Sequence, residues 1–265
     1  MDIPILYEDN DIVVIDKPVG VVVNRAETVT TETIQDWFVD KYQIPNPNNQ
    51  TNFNNQVDND ENYFRQRGGI VHRLDKETSG VMILAKTPLA FVELLRQFKE
   101  REVAKTYHAL THGVWKAQGG EISLPLGRMQ HNRKQFGVRE DGRESTTAYT
   151  VLSTWRTWLF PRELHVDDRG YSGFSLVLFR PKTGRTHQIR VHARHVGHPL
   201  VGDTLYAGRK RSREDRKWAK RVMLSAQTLE LAHPVTRVRM HWETRQDFPG
   251  EVERYFLQNE HGVAE

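Results

Sequence analysis

Apolar and polar positions along the chain alternate in short blocks. Ile3 to Tyr7 and Ile12 to Ile15 are β-type runs around the polar turn Glu8-Asp9-Asn10-Asp11, and Val21 to Val23 resume as strand after Pro18 and Gly20. From Thr33 to Tyr42 the period lengthens, and Ile34, Trp37, Phe38 and Tyr42 share one face of a predicted helix that ends before Pro45. Thr87 and Pro88 form a helix start, with Leu89, Val92, Leu95 and Phe98 as its apolar face. Val103 to Thr111 returns to period two, which puts Val103, Lys105, Tyr107 and Ala109 on one side of a strand. Thr146 to Leu152 and Phe174 to Phe179 are further β runs. Thr186 to Val196 fits either period, but Gly197 followed by Pro199 is a helix stop, so a helix capped by Thr186 is expected. The last predicted helix is Glu251 to Leu257. With no fixed-period repeat and no Pro/Gly/Ser linker, the pattern predicts one α+β domain over residues 1–265.

One block stands outside this pattern. Residues 45–62 hold eight Asn in PNPNNQTNFNNQVDNDEN and offer little to bury, which predicts a polar loop inserted into the domain.

Composition narrows the class. At 265 residues and 37% hydrophobic content the chain can bury a sizeable core. No apolar run reaches the roughly 20 residues of a membrane helix, and the first residues lack the basic and apolar parts of a signal peptide, so a cytoplasmic protein is expected. The absence of cysteine rules out disulfides, thiolate nucleophiles and cysteine metal sites. The formal charge of +4 is unevenly spread. Residues 1–62 carry 12 acidic against 3 basic side chains, whereas 180–221 carry 13 basic against Asp203, Glu214 and Asp215. A solvated helix surface accounts for ordinary interspersed charge, but a net of +10 in 42 residues predicts a polyanion as partner.

The candidate chemistry centres on His72-Arg73-Leu74-Asp75, followed by Lys76-Glu77-Thr78-Ser79-Gly80. Asp75 lies in a polar turn between the apolar runs Ile70-Val71 and Val81 to Ala85. Burial and a fixed cation could tune a carboxylate mounted in this way. The plainer alternative is an Asp that caps its own turn through backbone N–H groups.

The string GIVHRLDKETSG closely resembles the signature of the RluA family of RNA pseudouridine synthases. Three further stretches are similar to that family in the same order: ILYEDNDIVVIDKPVGVVVN at 5–24, KTYHAL at 105–110 and TGRTHQIRVHARHVGHPLVGD at 183–203. The resemblance implies the fold of that family, a bent, mixed, mainly antiparallel sheet with flanking helices and a central catalytic cleft. It also implies isomerisation of uridines in structured RNA, ribosomal or transfer, without cofactor or metal. Breaking the bond from ribose to N1, turning the uracil and rejoining it through C5 neither adds nor removes an atom, so one carboxylate can suffice where a hydrolase needs a second.

By the same resemblance Asp75 is the catalytic carboxylate, Arg190 its guanidinium partner with Arg185 as the rival, and Tyr107 the ring against the target base. Arg73 matches the arginine that contacts the extruded nucleotide, while His72 either touches RNA or braces the turn. Ile189 and Leu200 are either pocket walls or plain core. Many relatives carry an N-terminal S4-type RNA-binding domain, and here the core hairpin begins within the first few residues. Target choice is then expected to rest on the core, its basic face and the Asn-rich insertion; a monomer with no obligatory protein partner is expected. Two other functions compete. The first is an RNA-binding protein of the same fold that has lost catalysis; the second is a metal enzyme using His187, His192, His195 and His198, which lack an HExxH pattern and an acidic ligand set.

Overall fold

The computed structural model describes residues 1–44, 59–246 and 248–256. Along the chain the elements are β1 (Ile5–Glu8), β2 (Ile12–Lys17), α1 (Ile34–Lys41), α2 (Asn59–Arg67), β3 (Ser79–Ala85), α3 (Pro88–Lys99), β4 (Ala104–His112) and β5 (Gly119–Ser123). There follow β6 (Leu126–Arg128), β7 (Phe136–Val138), β8 (Thr146–Trp155), β9 (Phe174–Pro181), α4 (Gln188–His195), α5 (Arg209–Trp218), β10 (Leu224–Ala232), β11 (Arg239–Glu243) and α6 (Phe248–Glu253). The expected α+β class holds. The described residues form two compact units, one within 1–105 and 226–246, the other within 106–225 and 248–256.

In the first unit β1, β2 and β3 form an antiparallel meander, β10 lies beside β3, and β11 pairs antiparallel with β10. Every residue of β2 and of β3 is buried, so Ile12 to Ile15 and Val81 to Ala85 are continuous apolar runs rather than alternating ones. Gly80, at φ +108°, lets two backbones touch: a Cβ there would sit 2.0 Å from the carbonyl oxygen of Ala226. Helix α1 starts with a capping box, in which the Thr33 side chain accepts from the Asp36 N–H and the Asp36 carboxylate accepts from the Thr33 N–H. It buries Ile34, Trp37 and Phe38 as the period indicates, but also Gln35, while Tyr42 is a half-buried C-cap beyond the helix.

Several expectations are corrected. Val21 to Val23 is irregular backbone, because the chain turns through Pro18 and Gly20 and has no ladder partner there. The predicted loop over 45–62 lies outside the described residues at 45–58, and its last positions belong to α2, which Phe64 anchors by edge-on contact with Phe91. Helix α3 does start at Thr87, whose hydroxyl accepts from the Ala90 N–H. It buries Ala90, Phe91, Leu94 and Gln97, however, and leaves Leu89 and Val92 exposed. Gln97 holds an interior position because its amide donates to the Ala232 carbonyl at 2.8 Å and accepts from the Ala232 N–H at 3.1 Å.

The second unit is the antiparallel sheet β4-β9-β8-β5, with the β6–β7 ribbon as a separate pair. One core cluster gathers Ala109, Val177, Phe179, Ile189, Ala193 and Leu200. Another collects Trp155, Phe174, Trp218 and Phe256. Removing such side chains from water stabilises the unit by about 1.5–3 kcal/mol each. Helix α4 begins at Gln188, and Thr186 is not its cap. The Gln188 side chain instead accepts from the Thr183 hydroxyl and the Arg185 N–H and donates to Thr146 and Thr147, tying the turn before the helix to β8. Gly197, at φ +88°, ends it as expected. Among the described residues the last helix is α6, which starts before Glu251 and ends before Phe256, the residue that bridges Trp158; Leu257 of the expected span lies outside the described residues.

Candidate active site

Asp75 sits half-buried in a tight turn whose closing bond runs from the Thr78 N–H to its own carbonyl at 3.1 Å. Leu74 points inward at 4% exposure and Arg73, its neighbour, is exposed. What holds this turn is the segment Asp16-Lys17-Pro18-Val19-Gly20. Lys17 is fully buried, and its ammonium donates to the carbonyls of Pro18 at 2.9 Å, Lys76 at 3.3 Å and Thr78 at 2.8 Å. The Gly20 N–H also donates to the Lys76 carbonyl, at 2.8 Å. Asp16 in turn accepts from the Thr244 hydroxyl, the Arg245 N–H and the Gln246 amide. The residues around Asp75 are thus gripped by a buried cation that is anchored through its neighbour to the segment after β11.

His72, three residues before Asp75, is tied to β3 and α3. Its Nε2 accepts from the Ile83 N–H at 3.1 Å, and its ring stacks on Phe98 with centroids 4.7 Å apart. Burial, and behind it the charge of Lys105, push its pKa down to about 3, so the ring is neutral with the proton on Nδ1. Lys105, near the Phe98 ring, is itself lowered by burial.

In the second unit, α4 and the chain after it build a cluster around Arg190. This side chain is nearly fully buried and forms a fork with Asp203, Nε to Oδ2 at 2.7 Å and Nη2 to Oδ1 at 2.9 Å. Asp203 also accepts from the N–H groups of Leu205 and Tyr206, and the Arg190 guanidinium lies 5.0 Å from the Tyr206 ring centre. Two parallel charge-assisted bonds over an aromatic face fix a guanidinium more firmly than a single contact could. Arg185 is more exposed and donates through Nε to the Glu144 carbonyl at 3.3 Å. Tyr107 is half-buried in β4 opposite Phe179 and packs on the core cluster. Ile189 and Leu200 are members of that cluster, and Leu200 has no exposed surface.

The candidate residues therefore fall into two sets, His72, Arg73 and Asp75 in one unit, and Tyr107, Arg185, Ile189, Arg190 and Leu200 in the other. Sequence reasoning missed Lys17 and Asp203. Signals for both existed: a Lys ending the aliphatic strand IVVID, and an Asp closing the third motif. Three of the four crowded histidines are otherwise engaged. His192 meets the hydroxyls of Ser145 and Thr147, His187 that of Tyr206, and His198 the His112 carbonyl. Among the described residues the one grouping of metal-ligating type is Asp9, Asp11 and His233. There Asp9 already accepts from Tyr7, His233 and two backbone N–H groups.

Comparison with known proteins agrees with these motifs. The family model described as RNA pseudouridylate synthase matches residues 11–195. Ribosomal large subunit pseudouridine synthase D of Pseudomonas aeruginosa is 36% identical over 252 residues, covering 92% of this chain and 68% of that protein. An RNA pseudouridine synthase of Aquifex aeolicus described as uncharacterized is 38% identical over 206 residues, covering 77% of this chain and 56% of that protein. The chain thus spans roughly two thirds or less of these relatives' length. Among solved structures, human RNA Pseudouridylate Synthase Domain Containing 1 aligns with a TM-score of 0.67 and 27% identity, covering 98% of this chain and 91% of that one. A family model matching most of the chain, and relatives above 30% identity along nearly all of it, establish that this chain belongs to the RNA pseudouridylate synthase family, the isomerases that act on RNA.

Proposed function

We propose that this chain converts uridine to pseudouridine in ribosomal RNA, with Asp75 as the reacting carboxylate. The observation that carries the reading is the turn itself: a half-buried Asp75 within the HRLD run, gripped by the buried Lys17 and by Gly20. The grip suits a group that must meet a glycosidic carbon in one orientation, since misplacement by about 1 Å costs on the order of a hundredfold in rate. Tyr107 and Arg190 complete the set, the first as a ring against the base, the second as a fixed positive charge. Arg73, exposed beside Asp75, contacts the extruded nucleotide. His72 acts as a brace, Ile189 and Leu200 as core of the second unit, and Arg185 as a secondary RNA contact. Ribosomal RNA is preferred over transfer RNA because several similar proteins are named for the large ribosomal subunit. A cytoplasmic monomer fits that substrate; among the described residues no helix is long and apolar enough to cross a membrane.

Asp75→Asn tests the reading. The variant should fold and bind RNA like the wild type yet form no pseudouridine in ribosomal RNA from cells that depend on it, because an amide is neither nucleophile nor anion. Chemical mapping of pseudouridine in the two RNAs is the measurement. Turnover close to wild type removes Asp75 from the reaction.

A further inference from the structure

Helix α5 carries much of the basic charge between 180 and 221, with Arg209, Lys210 and Arg213 exposed, and such a helix is ordinarily a solvated surface. Its inner face is unusual. Asp215 has no exposed surface and lies in a polar cluster within the second unit. Its Oδ1 accepts from the Tyr171 hydroxyl at 2.7 Å, and its Oδ2 accepts from His112 Nε2 at 2.9 Å and from the Gly202 N–H at 3.0 Å. One turn position on, Arg216 donates through Nε to the Gly202 carbonyl at 2.8 Å. Both polar groups of one glycine are therefore held by consecutive residues of one helix.

Gly202 directly precedes Asp203, the residue whose carboxylate forks Arg190. Its φ is +74°, and a Cβ would fall 2.0 Å from the Arg221 carbonyl oxygen, so neither its conformation nor its position is free to drift. The preceding residues are stitched to β4: Thr111 bridges Leu200, and the Val201 N–H donates to the Leu110 carbonyl at 2.9 Å. His112 cannot serve as a charged partner, because burial lowers its pKa and leaves the ring neutral. Since Asp215 only accepts, the His112 proton is on Nε2, and Nδ1 has no hydrogen-bond partner among the described residues. Burying an aspartate, a tyrosine hydroxyl and a half-satisfied histidine costs free energy that an aliphatic filling would not. The arrangement makes physical sense if geometry is what it secures.

We propose that Asp215, seconded by Arg216, is a positioning residue that sets the Gly202-Asp203 peptide and through it the guanidinium of Arg190. The inference rests on the reading above that Arg190 serves the isomerisation. It links one helix to two tasks: its outer face attracts the RNA backbone and its inner face fixes the arginine.

The test uses the full chain with Asp215→Asn, which keeps volume but offers an amide in place of an acceptor oxygen, and Tyr171→Phe, which keeps the carboxylate and removes one of its donors. Three quantities are read: the saturating single-turnover rate on ribosomal RNA, the RNA dissociation constant, and the Arg190 Nε–H resonance of isotopically labelled protein without RNA. Asp215→Asn should lower the saturating rate on the order of ten- to hundredfold. Its dissociation constant should stay within about threefold of wild type, the pattern of an interaction used in the reaction and not in binding. The Arg190 Nε–H, sheltered in the wild type by its bond to Asp203, should shift and exchange faster with water. Tyr171→Phe should move both readouts in the same direction by a smaller factor, and it carries the test should the first variant fail to fold. A rate loss with the Arg190 resonance unmoved would overturn the proposal, as would an unchanged rate in a well-folded Asp215→Asn. Wild-type protein that makes no pseudouridine would instead sink the functional reading, while the resonance still reports whether Asp215 sets Arg190.

Discussion

Lys17→Met separates the structural from the positional value of a buried cation. Two effects oppose one another. Methionine relieves the cost of burying an ammonium, which in well-packed replacements can offset or exceed the interactions lost. Against that, three carbonyls lose a charged donor, at 2.9, 3.3 and 2.8 Å. Hydrogen bonds to charged groups contribute roughly 1.5–3 kcal/mol each, but the three are unequal. The Lys76 carbonyl keeps the Gly20 N–H, and its 3.3 Å bond is the longest. Pro18 is only partly buried, so its carbonyl can turn to water. Thr78, at 3% exposure, is where the loss is felt. A net destabilisation of about 1–3 kcal/mol follows from one such orphaned acceptor, or a fall in melting temperature of roughly 2–12 °C for a chain of this size. The effect on rate should be larger than that stability change suggests, because the turn that loosens carries Asp75. The saturating single-turnover rate, measured well below the melting transition, should fall on the order of ten- to hundredfold. A variant that melts several degrees lower yet reacts within about twofold of wild type would show that Lys17 merely fills space.

Three further outcomes are expected. RNA affinity should fall steeply with salt through counterion release, and replacing Arg209, Lys210 and Arg213 by Gln should flatten the slope by up to about three phosphate contacts; an unchanged slope in a binding titration places the RNA elsewhere. Stability should decline as pH falls from 6.5 toward 4, because burial pushes the pKa of His192 down to about 4 and the folded state then binds fewer protons than the unfolded one, a loss of about 2 kcal/mol by pH 5. Urea melts of His192→Asn should show a shallower decline, and an identical one would mean that His192 is not what titrates. Arg73→Ala should slow the saturating rate on a structured RNA more than on an unstructured strand of the same sequence, since only the former opposes extrusion by a few kcal/mol; equal losses on the two argue for a phosphate contact instead.

Local signals proved legible where local physics decides the outcome. The capping box of Thr33 and Asp36 and the Thr87-Pro88 start are short-range arrangements, and both helices begin where the chain announces them. The face of α3 was misread because Leu89 and Val92 count as apolar in any periodicity, whereas Gln97 is buried only by virtue of Ala232, 135 residues away. Gln188 likewise ties down the turn before α4 through Thr146 and Thr147 of β8, a contact that no window around position 188 contains. Helix α5 is the extreme instance, since RKRSREDRKW offers almost no apolar period. Counting its charges identifies a basic surface but cannot separate Arg213, which faces water, from Asp215, which does not.

The same division runs through the site. Motifs single out the residues proposed for the reaction, because the chemistry restricts those residue types, but they are silent on what holds them. Lys17 and Asp203 are holding groups, and both are charged residues in positions where burial would be unfavourable without a built set of partners. Lys17 has three carbonyls, and Asp203 has one guanidinium and two backbone N–H groups. A charged residue placed directly after an aliphatic strand or at the close of a motif is therefore a signal to be weighed as a support for the reacting residues. Asp16 and Lys17 satisfy that criterion within a single dipeptide: the aspartate ties to the segment 244–246 and the lysine to the turn of Asp75. Carrying position from a distant segment to the turn of Asp75 requires such a pair of buried, bonded charges, since an aliphatic pair in the same place would pack as well but would leave the turn's carbonyls without direction.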